Sequence, residues 1–352
     1  MKLPGHVVLP ALTNAHDHLQ LNGIPSLPVT RHFPNSYDWA RAFAGHFEDP
    51  DVQRARAVPL EIRHWQGALK NALCGTTTVM HHDPPAAIFQ QRGFPVRVVQ
   101  PFGWAHSLHA AYGPPVEASH HETPAGAGWF IHLAEGIDEL ATRELKELRR
   151  RGCLDARTVV IHGVALSDAD IEDIIACGAA VVWCPSSNLR ILGRTLSIRA
   201  LRRLYDAQCL ALGTDSRLSG ARDLLEELQF ARRYSDFAAR ELLELATARG
   251  ARVLRCQSDN VDRGDYIVIR TGGGDPAECL LRLARHQLRA VVRNGRPWLT
   301  DPDLDHWFTE HNVRYEPVLL DGQPKLCASD ALTPLRGSWR ALEPGLTLAA
   351  IP

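Results

Sequence analysis

The sequence predicts an α/β protein: a (β/α)8, TIM-like barrel with a small β-rich second domain. Three observations lead there. Between about residues 128 and 234, short apolar runs alternate with stretches of helical periodicity. The apolar runs are nearly continuous, as strands are when helices cover both faces of a parallel sheet. Several of them end in histidine or aspartate, and parallel barrels build their sites at the C-terminal ends of their strands. A doubly wound sheet is the competing arrangement.

The elements follow in order. The apolar run before His16 makes 7–15 the first strand. Helix 57–73 leads to strand 76–80, and 96–100 is a third apolar run. The stretch 105–127 should hold the fourth strand, but its Pro, Gly and His content makes it a poor one. Strand 128–133 is followed by a helix over 137–151, with Ile137, Leu140, Ala141, Leu145 and Leu148 at helical spacing and Gly152 closing it. Strand 158–162 precedes a helix that Ser167 caps, with Asp170 three residues on and Gly178 at its end. Strand 179–184 is cut by Pro185. Helix 197–207, strand 209–213 and helix 221–234 complete the series. From about 255 the pattern changes to strands and turns. Strand 266–270 and the run 288–292 are followed by Asn294-Gly295, a hairpin signal that Asp321-Gly322 repeats. The expected division is 5–250 for the barrel, with 1–4 and 251–352 forming the β-rich domain.

Composition narrows the function. A chain of 352 residues with 45% hydrophobic content can bury a large core. Its net charge of −1 gives no steering toward nucleic acid or an anionic membrane. No apolar stretch approaches the ~18–20 residues that span a bilayer, and the start lacks a signal-peptide apolar region. The eight cysteines are scattered, with no C-x-x-C, which points to a reducing cytoplasm. No phosphate-binding glycine motif follows any strand.

The chemistry lies in the histidines. His16 and His18 sit one residue apart at the end of the first strand, so both imidazoles point to one side while Asp17 points elsewhere. His132 and His162 end the fifth and sixth strands, and Asp215 ends the eighth. Three imidazoles and a carboxylate with an open position form a catalytic ligand set rather than a structural one. Glu135, three residues past His132, is placed to move a proton.

These segments resemble the amidohydrolase superfamily: 9–18 (Leu-Pro-Ala-Leu-Thr-Asn-Ala-His-Asp-His), 131–135 (Ile-His-Leu-Ala-Glu), 160–163 (Val-Ile-His-Gly), 183–188 (Trp-Cys-Pro-Ser-Ser-Asn) and 212–215 (Leu-Gly-Thr-Asp). The nearest likeness is to its mononuclear aminohydrolases, the group of cytosine deaminase, the chlorohydrolases and S-adenosylhomocysteine deaminase. The resemblance implies that His16, His18, His132 and Asp215 bind one divalent metal, zinc or iron. It implies that His162 contacts the bound water or the developing oxyanion and that Glu135 shuttles protons. Binuclear members use a carbamylated lysine on the fourth strand. This chain has lysine only at 2, 70, 146 and 325, none at an expected strand end. Members also usually begin with strands that complete a small β-sandwich. Met1 lies too close to His16 for those, so a truncated start or a smaller second domain is expected.

The reaction expected is hydrolysis of a C–N bond, with metal-bound hydroxide deaminating a heterocycle or amidine. Hydrolysis of an amide or lactam and a catalytically inactive binding barrel are the alternatives. His82, His106 and Arg217 are candidate substrate contacts, Arg217 equally a rim salt bridge. Period two sends only one of His81 and His82 inward. The loop 20–40 is expected to cover the site. A small-molecule substrate and a second copy of the chain are the expected partners, with no nucleic acid or membrane.

Overall fold

A computed structural model of the chain describes residues 3–28, 31–110, 112–256, 261–336 and 343–348. The first strand pair shows the principal departure from expectation. Where one strand was expected over 7–15, there are two, β1 (His6–Pro10) and β2 (Leu12–Asp17). The chain passes from one sheet to the other at Ala11, whose N–H donates to the Asp265 carbonyl. Proline at position 10 offers no N–H to continue a ladder.

From β2 onward the strands are parallel. They are β3 (Thr76–His81), β4 (Arg97–Val98), β5 (Gly103–Ser107), β6 (Trp129–Leu133), β7 (Thr158–His162), β8 (Ala180–Trp183) and β9 (Leu210–Leu212). With β2 they make eight barrel strands, hydrogen-bonded as β2-β3-β4 and β5-β6-β7-β8-β9. The two groups meet where Thr214 N and Asp215 N both donate to His16 O at 3.1 Å. The fourth strand stands at the start of the stretch expected to hold it. It follows β4 closely, with no crossover helix between them. The third strand is shorter than the expected 96–100, spanning Arg97–Val98.

Local chemistry sets the helix ends. Ser167 Oγ accepts from Asp170 N while the Asp170 carboxylate accepts from Ser167 N, and Gly178 closes the helix in the left-handed region at φ +75°. Such a cap contributes about 1 kcal/mol. The helix expected over 57–73 begins at Leu60, because Val58-Pro59 separates it from a shorter helix, Pro50–Ala57. Trp129, Phe130 and Trp183 are buried in the barrel.

The β-rich part adds β10 (Tyr266–Arg270), β11 (Ala290–Arg293), β12 (Arg296–Thr300), β13 (Tyr315–Leu320), β14 (Gln323–Ala328) and β15 (Leu346–Leu348). With β1 they form one antiparallel sheet, ordered β1-β10-β11-β12-β14-β13-β15. Both expected hairpin turns are present. Asn294 and Gly295 have φ +51° and +70°, and Asp321 and Gly322 have +50° and +79°. Only residues that tolerate positive φ at both positions make this turn.

Candidate metal centre

The strand ends bring the expected ligands together. His16 and His18 are the two ends of the H-x-H pair, and His132 lies on β6. His132 Nε2 is 3.2 Å from His18 Nε2 and 3.3 Å from His16 Nε2. Asp215 Oδ1 lies 3.8 Å from the Nε2 atoms of both His16 and His18. Tetrahedral ligands about 2.05 Å from a zinc ion would be roughly 3.3 Å apart. The tautomers fit as well. His132 Nδ1 donates to His106 O at 2.8 Å and His18 Nδ1 donates to Asp83 Oδ2 at 2.7 Å. The Nε2 lone pairs of both rings therefore face each other. Bare lone pairs at that separation repel unless a cation or proton lies between them. The residues present fit a divalent metal.

Each ligand is held from behind. Asp83 also accepts from Gln20 Nε2 at 2.5 Å and from the Tyr112 hydroxyl at 2.7 Å. Burial alone would lower the His18 pKa, but the hydrogen bond and charge of Asp83 raise it to about 9. Asp215 Oδ2 accepts from Ser187 Oγ at 2.8 Å and Ser219 Oγ at 2.7 Å. Burial opposes ionisation of Asp215, yet His18, His162 and these hydroxyls hold its pKa below the usual value. The pKa values of His16 and His132 are lowered well below the ordinary imidazole value, first by burial and then by neighbouring rings, so both are neutral donors.

His162 and Glu135 stand beside this group. His162 Nε2 is 3.4 Å from Glu135 Oε1. His162 Nδ1 donates to Asn188 Oδ1 at 2.8 Å, and Asn188 Nδ2 donates to Thr195 Oγ1, which fixes the amide's orientation. The 183–188 motif thus supplies the orienters: Ser187 for Asp215 and Asn188 for His162. Burial raises the Glu135 carboxyl, with Asp215 adding to it and His162 opposing it. His162 and Asp215 both adopt left-handed backbone, φ +72° and +58°. Side chains rarely tolerate that conformation, and it persists where surrounding bonds impose it.

The substrate-contact candidates divide. His106 lines the cavity above the ligands, together with Tyr37, Trp39 and Tyr112. Loop 20–40 contributes Ser36, Tyr37 and Trp39 to that cavity, which has a volume of about 830 Å³. His82 turns inward and His81 outward, toward His64 and Phe89. His82 does not line the cavity. It packs within the ligand group, 4.4 Å from the His132 ring centre, with its Nε2 donating to Ala105 O. Arg217 is not brought to the cavity either. Its guanidinium is held by both carboxylate oxygens of Glu343 at 2.7 Å, the salt-bridge arrangement. Among the described residues, His16, His18, His82 and His132 form one possible ligand set, and His16, His162 and Asp215 another.

Sequence reasoning missed Asp83, Lys70, Asn14 and Asn71. Asp83 directly follows the His81-His82 pair, the one signal that could have found it. Lys70 was set aside because it lies on a helix. It does lie on the helix Leu60–Leu73, but fully buried beneath the ligands.

Residues 106–266 match the family model described as Amidohydrolase family. The chain's curated relatives include a 5-methylthioadenosine/S-adenosylhomocysteine deaminase 1 of Archaeoglobus fulgidus, 32% identical over 151 residues, 38% of this chain and 35% of the relative. A 5'-deoxyadenosine deaminase of Methanoregula boonei is 32% identical over 217 residues, 53% of this chain and 46% of the relative. The chain thus spans less than half the length of these relatives. Among solved structures, an adenosine deaminase from Xanthomonas campestris with bound zinc shares the fold at a TM-score of 0.64 and 20% identity, over 88% of this chain and 85% of that one. No helix among the described residues is long and apolar enough to cross a membrane.

Proposed function

We propose that the chain is a zinc-dependent hydrolase that releases ammonia from a small nitrogen heterocycle or amidine in the cytoplasm. The observation that carries this reading is the convergence of His16, His18, His132 and Asp215 with Glu135 and His162 at the floor of one cavity. The deaminases among its relatives support the reaction class. The zinc in a structural neighbour supports the metal. When bound, such a metal supplies Lewis acidity and a water that ionises near pH 7.

The chain's own residues do the rest. His16, His18, His132 and Asp215 hold the metal. Glu135, its carboxyl pushed up by burial, stands beside the reacting atoms to take the proton of the attacking water and deliver it to the leaving nitrogen. His162 Nε2, 3.4 Å from Glu135 Oε1, stands beside that proton and the developing oxyanion. Asn188 keeps its ring in place. The aromatic walls of the cavity suit a flat ring. Arg56 and Arg63 also line it and have no carboxylate partner among the described residues. The Arg56 guanidinium lies 4.1 Å over the Phe47 ring. Burial and the nearby Arg56 both lower the Arg63 pKa. Two adjacent unpaired cations favour a substrate with a negatively charged substituent.

The test is metal content and ammonia release on the same preparations. Wild type should carry about one zinc per chain, lost in H16A/H18A, and should release ammonia from a purine nucleoside or triazine in a screen. Zinc with amide cleavage but no ammonia would move the reading to an amide hydrolase. A wild type that takes up no zinc would overturn it.

A further inference from the structure

Beneath the ligand atoms lies a closed polar layer centred on Lys70. Its ammonium is fully buried and has three N–H donors. It meets three acceptors, each at 3.1 Å: Asp17 Oδ2, Thr214 Oγ1 and the Asp215 carbonyl. Asp17 is the residue between His16 and His18. Thr214 and Asp215 belong to the segment after β9. One side chain, from a helix outside the barrel, therefore ties together the two segments that carry three of the four ligands.

The remaining members close the layer. Asn71, next to Lys70, donates to Asp17 Oδ2 at 2.8 Å. Asn14 donates to Thr214 Oγ1 at 2.8 Å and accepts from Thr214 N at 3.0 Å. The Asp215 backbone is left-handed, so its carbonyl is turned away from the strand ladder and needs an outside donor. Lys70 and the Thr214 hydroxyl supply it.

We propose that Lys70 is a positioning residue that fixes the spacing between the His16–His18 pair and Asp215 and so sets the metal affinity of the centre. The inference rests on the metal-site reading above and goes beyond the ligands themselves. Electrostatics alone predicts the opposite effect. Lys70 is a cation beneath a cation site, so removing its charge should tighten metal binding. Positioning predicts that removing it loosens binding, as loss of outer partners does by roughly 10- to 100-fold. In variants that leave the net charge of the layer unchanged, electrostatics alone predicts no change, so weaker binding separates the two.

The experiment measures zinc affinity by competition with a chromogenic chelator, on protein shown to be folded by circular dichroism. The variants are K70M/D17N, which removes both charges of the buried pair, and T214V, which removes one acceptor and keeps the lysine. Both should bind zinc at least tenfold more weakly than wild type while remaining folded. Unchanged or tighter binding in both folded variants, with the wild type binding zinc, overturns this inference alone. A wild type that binds no zinc overturns the site reading and this inference with it. A merely structural role would lower the unfolding midpoint and leave the affinity of the folded molecules unchanged.

Discussion

Glu227 allows a quantitative check on the interior. It lies on the helix Leu224–Arg233, wholly buried, and its carboxylate accepts from Ser186 N at 2.9 Å and from the Ser186 hydroxyl. Burial pushes its pKa up to about 8 from an ordinary 4.5, against the opposing pull of Ser186 and Lys70. The sign follows from proton counting. Between these two values the folded state keeps the proton and the unfolded state does not, so stability falls as pH rises. The penalty is absent below about pH 4.5 and complete above about pH 8. Each pH unit in that window costs roughly 1.4 kcal/mol, or about 3 kcal/mol by pH 7. Glutamine mimics the protonated form, accepting from Ser186 N and donating to its hydroxyl. E227Q should therefore match wild type near pH 4.5 and exceed it by about 3 kcal/mol at pH 7. Urea unfolding of both proteins, metal-free, at unit pH steps tests this, since every other titrating group cancels in the difference. A difference that stays flat with pH, or an E227Q less stable at pH 7, would refute the reasoning. It would mean that the charge of Lys70 keeps Glu227 ionised.

Four further outcomes are expected. D83N removes the carboxylate that orients His18 and should weaken zinc binding by about 10- to 100-fold, read by chelator competition. E135Q should retain full zinc content and lose about 10²- to 10⁴-fold in kcat, so loss of metal would show Glu135 to be a ligand. R63M should raise KM for a substrate with an acidic substituent while leaving KM for its uncharged analogue unchanged, and equal effects on both would remove the charge argument. W129A empties a fully buried position and should cost about 3–5 kcal/mol of stability, measured by the shift in denaturant midpoint.

The proposed ligands could be picked out because each is tied to a local pattern. His16 and His18 share a face by strand period, and His132, His162 and Asp215 close apolar runs. The helix caps at Ser167 and Gly178 were readable for the same reason, since a cap involves residues three or four apart. What was not legible depends on residues far apart in sequence. Lys70 meets Asp17 and Thr214, separated from it by 53 and 144 positions. A buried lysine on a helix looks the same in sequence as an exposed one. The split of the first strand was hidden because both halves are apolar, although they serve different sheets. The choice between His81 and His82 depended on which face of β3 meets the barrel interior, which the period alone does not fix. Arg217 follows Asp215 closely, yet its partner, Glu343, lies 126 positions away.

The charges around the centre add an argument that no single distance makes. Three carboxylates there are in their ionised state or paired with a cation. Asp17 is matched by Lys70 at 3.1 Å. Asp215 meets serine hydroxyls and the rings of His16 and His18, and Asp83 meets an amide, a phenol and His18. Burial pushes the Glu135 carboxyl up, and it pushes Glu227 up to about 8, so Glu227 adds no negative charge at neutral pH. Asp83 and Asp215, both held below the usual carboxylate range, then stand against His16, His82 and His132, whose burial holds them neutral, and His18. Buried charges persist where they are paired or bind metal. His18, with its pKa raised to about 9, can meet one of the two by taking a proton, but the proton would occupy a ring whose Nε2 faces His132. A divalent cation at that point meets both carboxylates at once and removes the repulsion between the rings. Zinc binding should therefore release a proton from His18, and calorimetry in buffers of different ionisation enthalpy would count it. About one proton released at pH 7.5 supports this balance. Release of none would mean that His18 is already neutral and that Asp83 is matched in some other way.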